Sequence, residues 1–128
     1  MEKNFQTELG KVRGRGSAHE GTEHFWLQRL TGFINIPFLI FFIVLILSLV
    51  GKDYSIVRAR LAHPVVAILM GLMTFSVLYH MKLGMQVVIE DYVPREGFRI
   101  LFLILNILFC FLIGGIIIFS LLKIALGG

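Results

Sequence analysis

The sequence predicts an all-α membrane protein with three transmembrane helices in an antiparallel bundle. Three observations carry that expectation. Of 128 residues, 57% are hydrophobic, and the mean hydropathy is +0.86, above the apolar share usual for a soluble domain. So short a chain could not bury that much apolar surface by itself. The excess is gathered into three stretches, Leu30 to Val50, Pro64 to Ile89 and Ile100 to Leu122, each close to the roughly 20 residues a helix needs to cross hydrocarbon. These stretches are continuously apolar and lack the alternation of lipid-facing β-strands. Connections of about a dozen residues or fewer suit adjacent antiparallel helices.

Residues 1–24 are polar and basic, with the glycine-rich run Gly10-Lys11-Val12-Arg13-Gly14-Arg15-Gly16-Ser17. They hold too little apolar surface to fold alone, and are read as an N-terminal arm that includes His19. Residues 25–128 form the anchor, with helices expected at about 27–50, 64–91 and 98–124. The first apolar run is long and late for a signal peptide, and no small-residue cleavage site follows it. All three helices are therefore expected in the mature protein. Trp26 reads as an interfacial anchor, Pro37 as a kink in the first helix, and His63 as part of the outer loop. Pro94 disfavours helix at Val93 and offers no amide hydrogen, so the second helix should stop there. The single cysteine, Cys110, lies inside the third stretch with no partner for a disulfide and reads as packing.

The net charge is +4, and in so apolar a chain the basic residues are topology signals rather than a nucleic-acid surface. Lys3, Lys11, Arg13, Arg15 and Arg29 precede or open the first span, and Arg95 and Arg99 lie in the second loop. Lys52, Arg58 and Arg60 in the first loop, with Lys123, stand on the other side. The positive-inside rule then places the N-terminus and the second loop in the cytoplasm and the C-terminus in the periplasm. Lys82, inside the second span, is expected to snorkel or to pair with a carboxylate.

Polar side chains inside hydrocarbon are costly and usually face a partner. His80, deep in the second span, has three uses open to it: haem ligand, proton relay or interhelical hydrogen bond. Ser76 and Gly84 lie four residues to either side on the same helix face. They leave room for a flat, bulky group, although small residues are also common where two helices pack closely. No second histidine stands at similar depth, so a six-coordinate haem would take its other ligand from another chain. On the first helix His24, Gln28, Gly32 and Asn35 form one stripe with Arg29 beside it. That stripe is either a snorkelling, solvated cluster or a site in which Arg29 and His24 hold carboxylates. The second helix closes with Glu90-Asp91-Tyr92, on the same side of the membrane as Arg29. A flavin fingerprint, cysteine clusters and a nucleophile with a base beside it are all missing from the sequence, so no catalytic residue is assigned.

The run His80-Met81-Lys82-Leu83-Gly84-Met85-Gln86-Val87-Val88-Ile89-Glu90-Asp91-Tyr92-Val93 resembles the signature of the hydrophobic membrane-anchor chain of bacterial succinate dehydrogenase: a histidine, a glycine four later, and Asp-Tyr at eleven and twelve. Gln28-Arg29-Leu30-Thr31-Gly32 is similar to that family's Arg-centred opening of helix one, and the three-span layout with its arm covers the whole chain. Succinate dehydrogenases of this type carry two anchor chains. Gly32 stands where the resembled one more often has alanine, and a Thr-Gly pair there is also similar to its companion. The Glu90-Asp91-Tyr92 ending matches the hydrophobic anchor, since the companion would call for a different histidine-arginine run in helix two.

The resemblance implies an inner-membrane, non-catalytic component of complex II, a heterotetramer that can trimerise. A flavoprotein and an iron-sulfur protein there oxidise succinate and pass electrons to ubiquinone. It also implies that this chain is half of a two-chain haem-binding anchor, sharing haem b with the companion anchor. His80 would be an axial ligand, Arg29 and His24 would meet propionates, and Ser76 and Gly84 would clear the macrocycle. Tyr92 would hydrogen-bond a ubiquinone carbonyl, supported by Asp91. Two rivals stand beside this reading: a haem-free structural anchor, and a small transporter component using His80 as a proton relay.

Overall fold

The computed structural model describes residues 18–127, and every regular element among them is a helix. In chain order these are α1 (Ala18–Leu49), α2 (Tyr54–Ala62), α3 (Pro64–Tyr92) and α4 (Glu96–Ala125). Helices α1, α3 and α4 are long and apolar enough to cross a membrane, as expected. Two features differ from the sequence reading. Helix α1 begins at Ala18, inside the stretch expected to be arm, because extending an existing helix fixes one residue per new hydrogen bond and avoids the costly nucleation step. The rest of the arm lies outside the described residues. The first loop contains a short helix, α2, that apolar periodicity did not announce.

The ends of the helices follow from local chemistry. After α1 the chain turns at Gly51, whose φ of +74° would strain a side-chain-bearing residue. Lys52 N donates back to Leu49 O at 3.1 Å. His63 caps α3: its Nδ1 accepts from Val65 N at 3.3 Å, and Pro64 fills the first helical position, where an amide hydrogen has no intrahelical partner. Helix α3 stops at Tyr92 with an extended Val93 before Pro94. The side chain of Arg99 then ties the turn into α4 by donating through Nε to Val93 O at 3.1 Å. Pro37 sits within α1 without ending it.

Helix α3 is the middle element, packed against both α1 and α4. The pairs across each interface show antiparallel order. Along α1 and α3, Gln28 meets Gly84, Thr31 meets His80, and Asn35 meets Ser76. Along α3 and α4, Gly71 meets Ile118, Leu78 meets Gly114, and the Lys82 carbonyl meets Asn106. Asn106 Nδ2 donates to Lys82 O at 3.0 Å, and Cys110 Sγ lies 3.9 Å from Leu78 O, so Cys110 packs as anticipated. Val57 and Leu61 of α2 line an apolar hollow with Phe42, Leu45, Leu49 and Met70. The buried apolar core is thin: Leu45, Leu83, Ile89, Cys110 and Leu121. Large side chains such as Phe111 and Leu47 point outward, 77% and 69% exposed. Lipid tails or neighbouring chains must cover that surface, since water cannot do so without a large penalty.

Candidate functional site

Helix α1 presents Gln28, Thr31, Gly32 and Asn35 at i, i+3, i+4 and i+7, the spacing that puts four side chains on one face. Helix α3 answers with Gly84, His80 and Ser76. Apolar faces alone would not set this register in lipid, where tails are as apolar as leucine; small residues and a few hydrogen bonds must. Ser76 Oγ donates to Asn35 Oδ1 at 2.7 Å. One turn along, His80 Nδ1 stands 2.9 Å from Thr31 Oγ1. Gly32 lets the imidazole lie against α1: a Cβ there would stand 3.4 Å from His80 Cε1, ordinary contact, so the alanine more frequent in the resembled family would also fit. At the next turn a Cβ on Gly84 would come within 3.1 Å of Gln28 Nε2.

Two of the positions singled out in the sequence thus serve α1. The room beside Ser76 is taken by Asn35 and that beside Gly84 by Gln28, which is the close-packing use that small residues also have. Thr31, part of the sequence motif but given no role by it, supplies the partner of His80. Its position three residues after Gln28 and just before Gly32 was the available signal. Gln28 Oε1 is sealed from the outside with no hydrogen-bond partner among the described residues. His80 Nε2 also accepts no hydrogen bond among the described residues, yet it is not a sealed atom. The imidazole therefore has one nitrogen held inside the bundle and one free at its surface.

Arg29 leaves the α1–α3 contact and lies exposed on the adjoining face, its guanidinium carbon 5.3 Å from the centre of the Phe25 ring. It is two residues from Thr31, hence about 3 Å along the axis toward the Tyr92 end. His24 is half-buried one turn further out. Asp91 and Tyr92 are exposed at the end of α3, Tyr92 to 80%. Eleven residues separate Asp91 from His80, about 16 Å of helix axis. Because α1 runs out to Ala18, its first turns reach the level of Tyr92, and both helices end at one interface. Lys82 is two residues past His80 and so faces roughly the opposite way. Its Nζ lies 5.9 Å over the Tyr79 ring, with no acidic partner among the described residues. Tyr79 stacks on Phe75 at 6.2 Å along a groove of about 430 Å³ between α3 and α4.

No group of three or more histidine, cysteine or carboxylate side chains gathers among the described residues. A metal centre at His80 would therefore draw on another chain for ligands. The fold and site together define a three-span membrane anchor that offers one histidine from its middle helix and brings the start of α1 and the end of α3 to one interface. The chain belongs to the succinate dehydrogenase/fumarate reductase transmembrane subunit family, whose model matches residues 3–114. Among curated proteins it is similar to the succinate dehydrogenase hydrophobic membrane anchor subunit of Rickettsia bellii, with 34% identity over 99 residues, 77% of this chain and 79% of that protein. The protein of the same name from Rickettsia conorii is 34% identical over 108 residues, 84% of this chain and 86% of that one. That from Paracoccus denitrificans is 25% identical over 116 residues, 91% of this chain and 89% of its own length. No solved structure matches.

Proposed function

We propose that this chain is the hydrophobic anchor of a succinate dehydrogenase, holding the flavoprotein and iron-sulfur proteins at the bacterial inner membrane and supplying one axial ligand to a haem b shared with a second anchor chain. The observation that carries the reading is the state of His80: Nδ1 is engaged by Thr31 at 2.9 Å, and Nε2 has no partner among the described residues. A single histidine with a free nitrogen fits a group that takes its second ligand from another chain. Bound haem would supply one-electron chemistry between the iron-sulfur protein and quinone. The chain's own residues bind and orient. Arg29, exposed and within a turn of His80 along the axis, would donate paired hydrogen bonds to propionates, with His24 beyond it. Tyr92 presents a phenol hydroxyl to a ubiquinone carbonyl at the interface, with Asp91 beside it to orient the headgroup. Succinate oxidation belongs to the other chains of the complex, and this one contributes no catalytic group to it. The N-terminus and the α3–α4 turn face the cytoplasm and the C-terminus the periplasm.

One observation favours a second reading, the haem-free structural anchor: the Thr31–His80 contact is itself an interhelical hydrogen bond, and Ser76 and Gly84 are occupied by α1. A reduced-minus-oxidised optical spectrum of the purified complex, native and with His80→Leu, separates the two. A b-type spectrum that is lost or changed in an assembled His80→Leu complex supports ligation. An unchanged spectrum in the variant, or no haem in the native complex, refutes it.

A further inference from the structure

We infer that Thr31 is a positioning residue that fixes the tautomer of His80, holding the proton on Nδ1 so that the lone pair of Nε2 is free for iron. The inference rests on the haem reading of His80 and adds to it a second residue with a separate chemical role.

The argument is a count of protons. A threonine hydroxyl has one proton to give and two lone pairs. Thr31 Oγ1 lies 2.7 Å from Leu27 O and 3.2 Å from Gln28 O. Both are carbonyl oxygens that can only accept. The proton goes to the nearer, Leu27 O, in the back-bond that threonine commonly makes inside helices. The oxygen then has only lone pairs to offer His80 Nδ1 at 2.9 Å, so Nδ1 must be the donor. A neutral imidazole carries one N–H; with that hydrogen on Nδ1, Nε2 is bare. The alternative tautomer would need the Thr31 hydroxyl to turn away from Leu27 O and donate to Nδ1, giving up the shorter 2.7 Å bond for the 2.9 Å one. The Leu27 bond also polarises the hydroxyl and makes its oxygen a better acceptor. The edge of the ring lies alongside Gly32, with Cε1 3.4 Å from where a Cβ would stand. A hydrogen bond from the far nitrogen also raises the basicity of the ligating one, which favours the ferric state.

The test uses the assembled complex with Thr31→Val, which keeps the shape and removes the hydroxyl, and Thr31→Ser, which keeps the hydroxyl. With valine, haem affinity should fall about 10- to 100-fold, the usual effect of losing such a partner. A tenfold loss confined to the ferric state raises the midpoint potential by about 59 mV, and the low-spin paramagnetic signals should shift. Serine should restore affinity, potential and spectrum. Dye-linked succinate oxidation should be unchanged throughout. Native potential and spectra in Thr31→Val, in a complex where His80→Leu loses its haem, overturn the inference while leaving the ligand assignment intact. A separate readout needs no haem: nitrogen-15 shifts of labelled His80 in the haem-depleted native complex should show Nδ1 protonated and Nε2 bare. A proton on Nε2 overturns the inference whatever His80 ligates.

Discussion

Removing the Asn35–Ser76 hydrogen bond should loosen α1 from α3 by an amount that can be worked out in advance. Ser76 is 9% exposed, and its hydroxyl donates to Asn35 Oδ1 at 2.7 Å, the favoured separation for an O–H donor and an oxygen acceptor. Interhelical hydrogen bonds in membrane proteins average about 0.6 kcal/mol and reach about 1.7. The favourable distance and near-complete burial place this one in the upper part of that range, about 1 to 1.7 kcal/mol, or roughly 5- to 18-fold in the equilibrium constant. Ser76→Ala leaves the Asn35 oxygen facing a methyl group, and Asn35→Leu removes the acceptor. The double variant closes a thermodynamic cycle that isolates the pair. Unfolding by a denaturing detergent in mixed micelles provides the free energies. The single tryptophan, Trp26, lies in the first turns of α1 and reports its detachment. A coupling within the roughly 0.3 to 0.5 kcal/mol error of additivity would mean that the contact contributes nothing, and that packing alone sets the α1–α3 register.

Tyr92→Phe keeps the ring and deletes the hydroxyl at an 80% exposed position, so folding should be unaffected and quinone reduction impaired much more than dye-linked succinate oxidation. Equal loss of both activities, or of neither, would remove Tyr92 from the quinone site. The topology is checked by reporter fusions: a reporter that works only in the periplasm should be active after Gly128, and a strong cytoplasmic signal there would invert the assignment.

The spans were readable from the chain because transfer into hydrocarbon is summed residue by residue over some twenty positions and needs no knowledge of neighbours. The stop at Val93 was readable for a similar reason, since Pro94 acts on the residue before it. The stripe Gln28, Gly32 and Asn35 followed from helical spacing, and the structure shows it facing another helix. What each member touches depended on the register between segments far apart in sequence: Thr31 and His80 are 49 positions apart. No local pattern encodes that offset. Tertiary structure alone chose Thr31 as the partner of His80, closed the room beside Ser76 and Gly84 with Asn35 and Gln28, and left Arg29 on the open face beside Phe25. The extension of α1 back to Ala18, where sequence had placed an arm, is a matter of local helix propagation instead. The physical reason for the tertiary choices is that apolar helices in lipid gain little from one register over another. The alignment is decided by a few hydrogen bonds and by glycines that permit close approach, and these act only once the helices are side by side.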